Sequence, residues 1–533
     1  MLGTWFAMVA ARAGRTDAAA PAGRSHHDID EISWSSNVPR DSPSIYVHLW
    51  MTTAEGSHRM AEPDVAVRTP APEAALRRTA SFTAEPVPPA PLTWGQRALW
   101  KAIQLRGPEQ VLMSLPRVVP VPRPAAPAAV LRAVGALVAR NSSLRTRIQV
   151  VDGEPRQVVS SRDEVPVHLV HADPAGDADG SAAAAAEVSR LATTPFDHGQ
   201  EFPQRVALVL VDGWVRQICL VFSHTTVDFR AVDIVLGELH ELLSSGSIAT
   251  PAGLQSVDIA RREQGEDRHH SERALAYWVD GYGRLPQDTL PRLGPPDTPR
   301  FRRAVLTSPA ADAAARIVAQ RSRATNSTVL LAATAAVISR WSGAGVCGIH
   351  SMASNRVRPG YRAAIAKLNQ VGLVMVDMTD RPSFAELVPR VRRASMEGYR
   401  HSHYDPVEID DAFAAAGYPS YGDGISPHCF LNDVRRWTPT EPPGDAITEA
   451  DVRAALSRTS FAVAEGMAHY GWRLRVELLD EFVDDPGDLS VGVTGDTSHL
   501  PPADAERFLR DIERLVVDAA FHDLPWPWLS PGQ

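Results

Sequence analysis

Residues 206 to 243 hold the pattern that most restricts the fold. Val206 to Val211 and Arg216 to Phe222 are two apolar runs joined by Asp212-Gly213-Trp214. In the second run Ile218, Leu220 and Phe222 alternate with Gln217, Cys219 and Val221, which places the two sets on opposite faces of a strand. The Asp-Gly pair between the runs predicts a hairpin. Downstream, Val232, Val235, Leu236, Leu239, Leu242 and Leu243 recur at helical spacing. The order is strand, polar loop, amphipathic helix. That loop, Ser223-His224-Thr225-Thr226-Val227-Asp228, presents a histidine and, four residues later, an aspartate. Histidine, with an ordinary pKa of about 6.5, gains and loses a proton near neutrality, and a neighbouring carboxylate can fix its loop or its tautomer. Taken alone, the pair is more often the pattern of a capping aspartate beside a satisfied core histidine.

The flanking chain alternates strands and helices. Ala125 to Arg140 reads as an amphipathic helix carrying Val130, Leu131, Val134, Leu137 and Val138, and Ile148 to Val151 begins a strand that turns at Asp152-Gly153. Thr328 to Trp341 is a buried-looking helix, and Phe384 to Tyr399 is amphipathic. Pro286, Pro291, Pro295, Pro296 and Pro299 make residues 286–299 the clearest linker. The expected organisation is an N-terminal lobe at 86–285 and a C-terminal lobe at 300–533. Residues 1–85 show no sustained periodicity and are expected to form a disordered leader, with Ser44 to Met51 as its one strand candidate. His26 and His27 in that leader lack further ligands nearby, so no metal site is expected there.

Composition narrows the class. With 533 residues, 44% hydrophobic and 22% charged, the chain can bury a large core split between two lobes. A net charge of -9 argues against a general nucleic-acid binder. Cys219, Cys347 and Cys429 are too few and too widely spaced for a disulfide frame or a metal knuckle, which points to a reducing, cytoplasmic setting. No window is apolar for the ~18 to 20 residues that a membrane span needs. Of the 54 basic side chains only Lys101 and Lys367 are lysines, an arginine bias typical of a GC-rich bacterial genome.

Several separate segments carry a family resemblance in a fixed order. Pro91-Leu92-Thr93-Trp94-Gly95-Gln96-Arg97-Ala98-Leu99-Trp100 follows a proline-leucine-serine-x-x-gln-x-x-leu-trp pattern. Arg140-Asn141-Ser142-Ser143-Leu144-Arg145-Thr146 is similar to arg-his-x-x-leu-arg-thr, and Pro195-Phe196-Asp197 to a pro-phe-asp segment. The loop Ser223 to Phe229 is similar to a his-his-x-x-x-asp-gly signature. Tyr277-Trp278, then Gly348 to Pro359 with Asn355-Arg356, then Asn369 to Phe384 complete the set. Together they resemble the condensation-domain superfamily of nonribosomal peptide synthetases. The resemblance implies an α/β fold of two chloramphenicol-acetyltransferase-like sandwich lobes meeting in a V-shaped cleft, with the histidine loop at its floor. It implies that His224 is the catalytic base or positioning group. Asp228 would hold the loop through an arginine salt bridge, for which Arg145 is the expected partner, and Ser223 would support the loop from the position of the signature's first histidine.

Two departures bear on function. Phe229 stands where the signature has glycine, which would remove a conformation open to positive φ and add bulk in a substrate tunnel. Leu368-Asn369-Gln370-Val371 replaces a phe-val-asn-thr segment, with Asn369 as a second tunnel residue. The implied activity is that of a free-standing condensation enzyme. It would join an acyl thioester, carried on the phosphopantetheine arm of an acyl or peptidyl carrier protein in trans, to an amine or alcohol, with no cofactor or metal bound by the chain itself. Two alternatives stay open: an acyltransferase that uses acyl-CoA, and a non-catalytic platform that recruits a tailoring enzyme.

Overall fold

A computed structural model of the protein describes residues 77–106, 114–418, 425–435, 447–479 and 489–528. They form two compact units. The first takes the chain up to Glu263 and then Arg356–Leu368, and the second takes Gln264–Asn355 and the chain from Asn369 onward.

The first unit holds β1 (Arg77–Thr83), β2 (Ala90–Pro91), α1 (Trp94–Arg106), β3 (Ser114–Ala125), α2 (Pro127–Arg140), β4 (Thr146–Val151), β5 (Glu154–Val159), β6 (Arg162–His171), α3 (Ser181–Ala192), β7 (Gln204–Val211), β8 (Trp214–Ser223), α4 (Phe229–Ser245) and α5 (Ser256–Gln264). Its main sheet has the order β1-β6-β7-β8-β3, and β2, β5 and β4 form a smaller one. Only β6 and β7 pair in parallel within the main sheet. The alternation along β8 decides the layering. Ile218, Leu220 and Phe222 share a core with Val130, Val134 and Leu137 of α2 and Val232, Val235 and Leu239 of α4. Cys219 and Val221, on the opposite face, pack with Ala184, Val188 and Leu191 of α3. A sheet covered by helices on both faces is an α/β sandwich. The β7–β8 hairpin closes on Asp212 and Gly213, both left-handed at φ 52° and 77°, the geometry that suits a two-residue turn between twisted strands.

The second unit holds α6 (Arg268–Arg284), β9 (Phe301–Ser308), α7 (Pro309–Ser322), α8 (Asn326–Ser342), β10 (Val346–Ala353), β11 (Gln370–Asp377), α9 (Phe384–Arg400), α10 (Pro406–Ala415), β12 (Cys429–Asp433), α11 (Glu449–Ala455), β13 (Ser460–Met467), β14 (Leu474–Leu479), β15 (Leu489–Asp496) and α12 (Pro502–Phe521). One sheet, ordered β11-β10-β12-β14-β15-β9-β13, buries a core against α7, α8, α9 and α12. Among the described residues no helix is long and apolar enough to cross a membrane.

Two expectations need correction. The expected leader reaches too far: Arg77–Thr83 is β1, antiparallel to β6, with Ala80 and Phe82 buried in the first unit's core. A seven-residue edge strand with two inward side chains is too short to register as periodicity. Residues 1–76, including Ser44 to Met51, His26 and His27, lie outside the described residues. The boundary between units also falls before α6 rather than within 286–299, because Ala274 and Trp278 of α6 pack with Leu373 and Tyr404. The proline-rich stretch is tied to the second unit instead, through Thr289 N–H to Pro427 O at 3.1 Å, Leu293 N–H to Ser498 O at 2.8 Å and a buried Leu290.

The β1 correction predicts a measurable effect. Phe82 meets the ring of Phe202 edge-on at 5.6 Å, so Phe82→Ala is expected to cost about 3 kcal/mol of stability, read from denaturant unfolding. A loss below about 0.5 kcal/mol, the range of a substitution at an uninvolved surface position, would mean that β1 is dispensable.

Candidate active site

The histidine loop is built by its flanking elements. β8 ends at Ser223, whose N–H is held by Pro203 O at 2.7 Å, and α4 begins at Phe229 with Asp228 as its N-cap, Oδ1 accepting from Ala231 N–H at 2.8 Å. Between them Val227 is fully buried in the core beneath the loop. Ser223 Oγ accepts from Thr225 N–H at 3.2 Å, bonds Thr225 Oγ1 at 2.7 Å and lies 3.4 Å from His198 Nδ1.

Within this frame His224 is half-buried and its tautomer is set. Nδ1–H donates to Val227 O at 2.7 Å, which leaves the lone pair on Nε2. Burial and the nearby charge of Lys367 lower the imidazole pKa to about 4, against smaller opposing effects from the Val227 carbonyl and Asp228. The ring is therefore neutral at pH 7. Because the unfolded chain binds this proton more readily, stability is expected to be full above about pH 6.5 and to fall as the pH drops toward 4. The His224 ring signals in NMR should show no titration above pH 5.5.

Asp228 is fixed from three sides. Oδ1 accepts from Arg356 Nη2 at 2.6 Å, and Oδ2 from Leu368 N–H at 3.1 Å, beyond the cap bond to Ala231. Burial alone would raise its pKa, but the Arg356 charge and these hydrogen bonds overcome that and hold the carboxyl below its usual range. Arg356, 1% exposed, also donates to Ala364 O at 2.7 Å and to Tyr361 O and Ala366 O at 3.2 Å each. It thus locks the segment Arg356–Leu368 onto the histidine loop within the first unit.

Arg145 is not the partner. Its Nη1 donates to Ser160 O at 2.7 Å, tying the turn before β4 to the residue that follows β5. The expectation took an arginine from the second motif, whereas the partner is 128 residues from Asp228 along the chain. Arg356 was legible only as half of the Asn355-Arg356 pair. Lys367, 5% exposed beside Arg356 and Asp228, stood out solely as one of two lysines.

Phe229 causes no backbone strain. It is the first residue of α4, with the negative φ of a helix, so the glycine of the signature is not required here for conformation. Its ring lies edge-on to His224 at 5.8 Å, with the Arg117 guanidinium 5.7 Å from its centroid. Asn369, 9% exposed, follows Leu368 and opens the second unit's share of the chain.

The condensation-domain family profile matches residues 89–416. The phosphinothricin tripeptide synthetase PhsC of Streptomyces viridochromogenes is 28% identical over 320 residues, 58% of this chain and 29% of PhsC. The chain spans less than a third of the length of that relative and of two other matching synthetases, at 29%, 4% and 25%. Among solved structures, a condensation domain that mediates chain release from the enacyloxin polyketide synthase superposes with a TM-score of 0.62 at 18% identity, covering 84% of this chain and 86% of that one. The X-domain of teicoplanin biosynthesis, solved in complex with OxyB, superposes with a TM-score of 0.57 at 19% identity, covering 82% and 96%.

Proposed function

Because the chain belongs to the condensation-domain family, we propose that it transfers an acyl group from a thioester to an amine or alcohol, forming an amide or ester in specialised-metabolite biosynthesis. The donor in this reading is the phosphopantetheine arm of a carrier protein. The observation that carries it is the tautomer of His224, whose Nε2 lone pair is free to accept a proton because Nδ1–H is committed to Val227 O.

The acceptor's lone pair attacks the thioester carbon and the carbonyl π pair moves onto oxygen. His224 Nε2 takes the proton that the acceptor sheds. When the tetrahedral intermediate collapses, the C–S bond breaks with its pair on sulfur, and the proton on His224 passes to that thiolate. The imidazole ends as it began. A depressed pKa keeps the ring in its accepting form at neutral pH while lowering its basicity, which suits an amine made acidic by having already attacked. Asp228, charged and spent on three hydrogen bonds, moves no proton and holds the loop.

The test presents the purified protein with acyl-carrier and acyl-CoA thioesters and a panel of amines and alcohols, and follows product by intact mass. Product from the carrier thioester at a higher rate than from CoA supports the reading. Turnover from CoA alone would favour the CoA-dependent alternative. Ser223 and Phe229 at signature positions favour a second reading, a non-catalytic platform. It would be supported by no product from any donor together with binding of a tailoring oxygenase.

A further inference from the structure

We propose that His198 is a positioning residue of this site: its imidazole bonds the hydroxyl of Ser223 and so fixes the turn from which His224 projects. The inference rests on the acyl-transfer reading above and deepens it.

Backbone and rings together hold the imidazole in place. His198 lies in the turn before β7, where its carbonyl accepts from Ile148 N–H of β4 at 2.8 Å. Asp197 Oδ1 accepts from Gly199 N–H at 3.0 Å and from Gln200 N–H at 3.2 Å, which closes that turn on itself. Phe196 stacks on the imidazole with centroids 6.1 Å apart and planes 11° from parallel, and Trp100 of α1 meets it edge-on, also at 6.1 Å. Phe196 is pinned in turn by the Arg205 guanidinium, 3.9 Å from its centroid, while Arg205 donates to Thr194 O at 2.6 Å and Pro195 O at 2.7 Å. On this platform His198 Nδ1 lies 3.4 Å from Ser223 Oγ, a long hydrogen bond.

That contact completes the Ser223 hydroxyl. A hydroxyl can donate one hydrogen bond and accept two. Ser223 is fully buried, and its oxygen accepts from Thr225 N–H at 3.2 Å and shares a second bond with Thr225 Oγ1 at 2.7 Å. His198 supplies the third. Burial lowers the imidazole pKa against the attraction of Glu201 and Asp197, so at pH 7 the ring is neutral and Nδ1 can serve as donor or acceptor. His224 stands between the two residues that this hydroxyl ties together, so the direction in which it leaves the loop depends on that turn. The signature has a histidine at position 223; here the imidazole beside the loop comes from residue 198 instead.

The experiment compares wild type, His198→Phe and His198→Asn in turnover of acyl-carrier thioesters with amines, in thermal unfolding, and in the NMR resonance of the His224 Nδ1–H that bonds Val227 O. Phenylalanine keeps a ring against Phe196 and Trp100 but brings no nitrogen, whereas asparagine keeps a polar atom at the place of Nδ1 and gives up the ring. His198→Phe is expected to hold the wild-type Tm while kcat falls about 10-fold with KM little changed, and to shift or broaden the His224 resonance. His198→Asn is expected to lower Tm but to keep kcat within about threefold of wild type and to restore the resonance. A ring that only packs would give the reverse order, with kcat following Tm, and that result would overturn the proposal. Wild-type kcat in His198→Phe would overturn it and leave acyl transfer standing. Wild type inactive on every donor would remove the acyl-transfer reading, and the resonance would then decide the positioning role by itself: unchanged in His198→Phe, it overturns the proposal; altered there and restored in His198→Asn, it supports it.

Discussion

Replacing His224 by alanine is expected to lower product formation by about 10²- to 10⁴-fold while the protein keeps its wild-type far-UV spectrum and cooperative unfolding. The size follows from what one general acid/base group contributes, and the intact fold from where the side chain sits. His224 is half-buried at the end of β8, and its Nδ1–H bonds Val227 O within the same loop. The elements that hold the loop, the Asp228 cap of α4 and the Ser223 contacts, do not pass through the imidazole. Turnover by His224→Ala at the wild-type rate would refute a mechanism that runs through this ring. A loss accompanied by early unfolding would instead assign the residue to the loop's structure.

Breaking the Asp228–Arg356 pair is expected to have the largest effect on stability. Both side chains are at most 3% exposed, so removing either breaks a buried ion pair, at about 3 to 5 kcal/mol. Asp228→Asn isolates the charge, because asparagine caps helix α4 as well as aspartate does. Arg356→Leu removes the cation together with its bonds to Tyr361, Ala364 and Ala366. The double variant should be less destabilised than the sum of the singles by more than about 1 kcal/mol, since the second substitution relieves the charge that the first strands. The control is Arg145→Leu with Asp228→Asn, expected to be additive because Arg145 binds Ser160 O instead. Additivity in the first pair and coupling in the second, measured by urea unfolding, would restore the partner expected from motif order.

Much of the first unit was legible because its signals are local. The alternation of Ile218, Leu220 and Phe222 with Cys219 and Val221 foretells the two cores on either side of β8. Val232, Val235, Leu239 and Leu242 foretell the buried stripe of α4, and Asp212-Gly213 and Asp152-Gly153 the two tight turns. A strand or helix repeats every 2 or about 3.6 residues, so a window of ten to twenty residues contains its whole period. β1 escaped because Ala80 and Phe82 are its only inward side chains, and the proline-rich 286–299 misled because proline marks a turn, whether or not a boundary lies there.

The sequence by itself thus determined the α/β layering, the strand, loop and helix that carry His224 and Asp228, and the family to which they point. Only the tertiary structure decided what those residues touch. A carboxylate's partner depends on which cation the chain path returns to it, and with 54 basic side chains, nearly all arginine, nothing in the local text singles out one. Arg356 and Lys367 reach the loop because the segment Arg356–Leu368 is packed into the first unit, although Arg356 lies 128 residues from Asp228 along the chain. That return is set by the summed burial of Tyr361, Ala364, Ala366 and Leu368 against Ile259, a set of contacts spread over distant positions that no local period records.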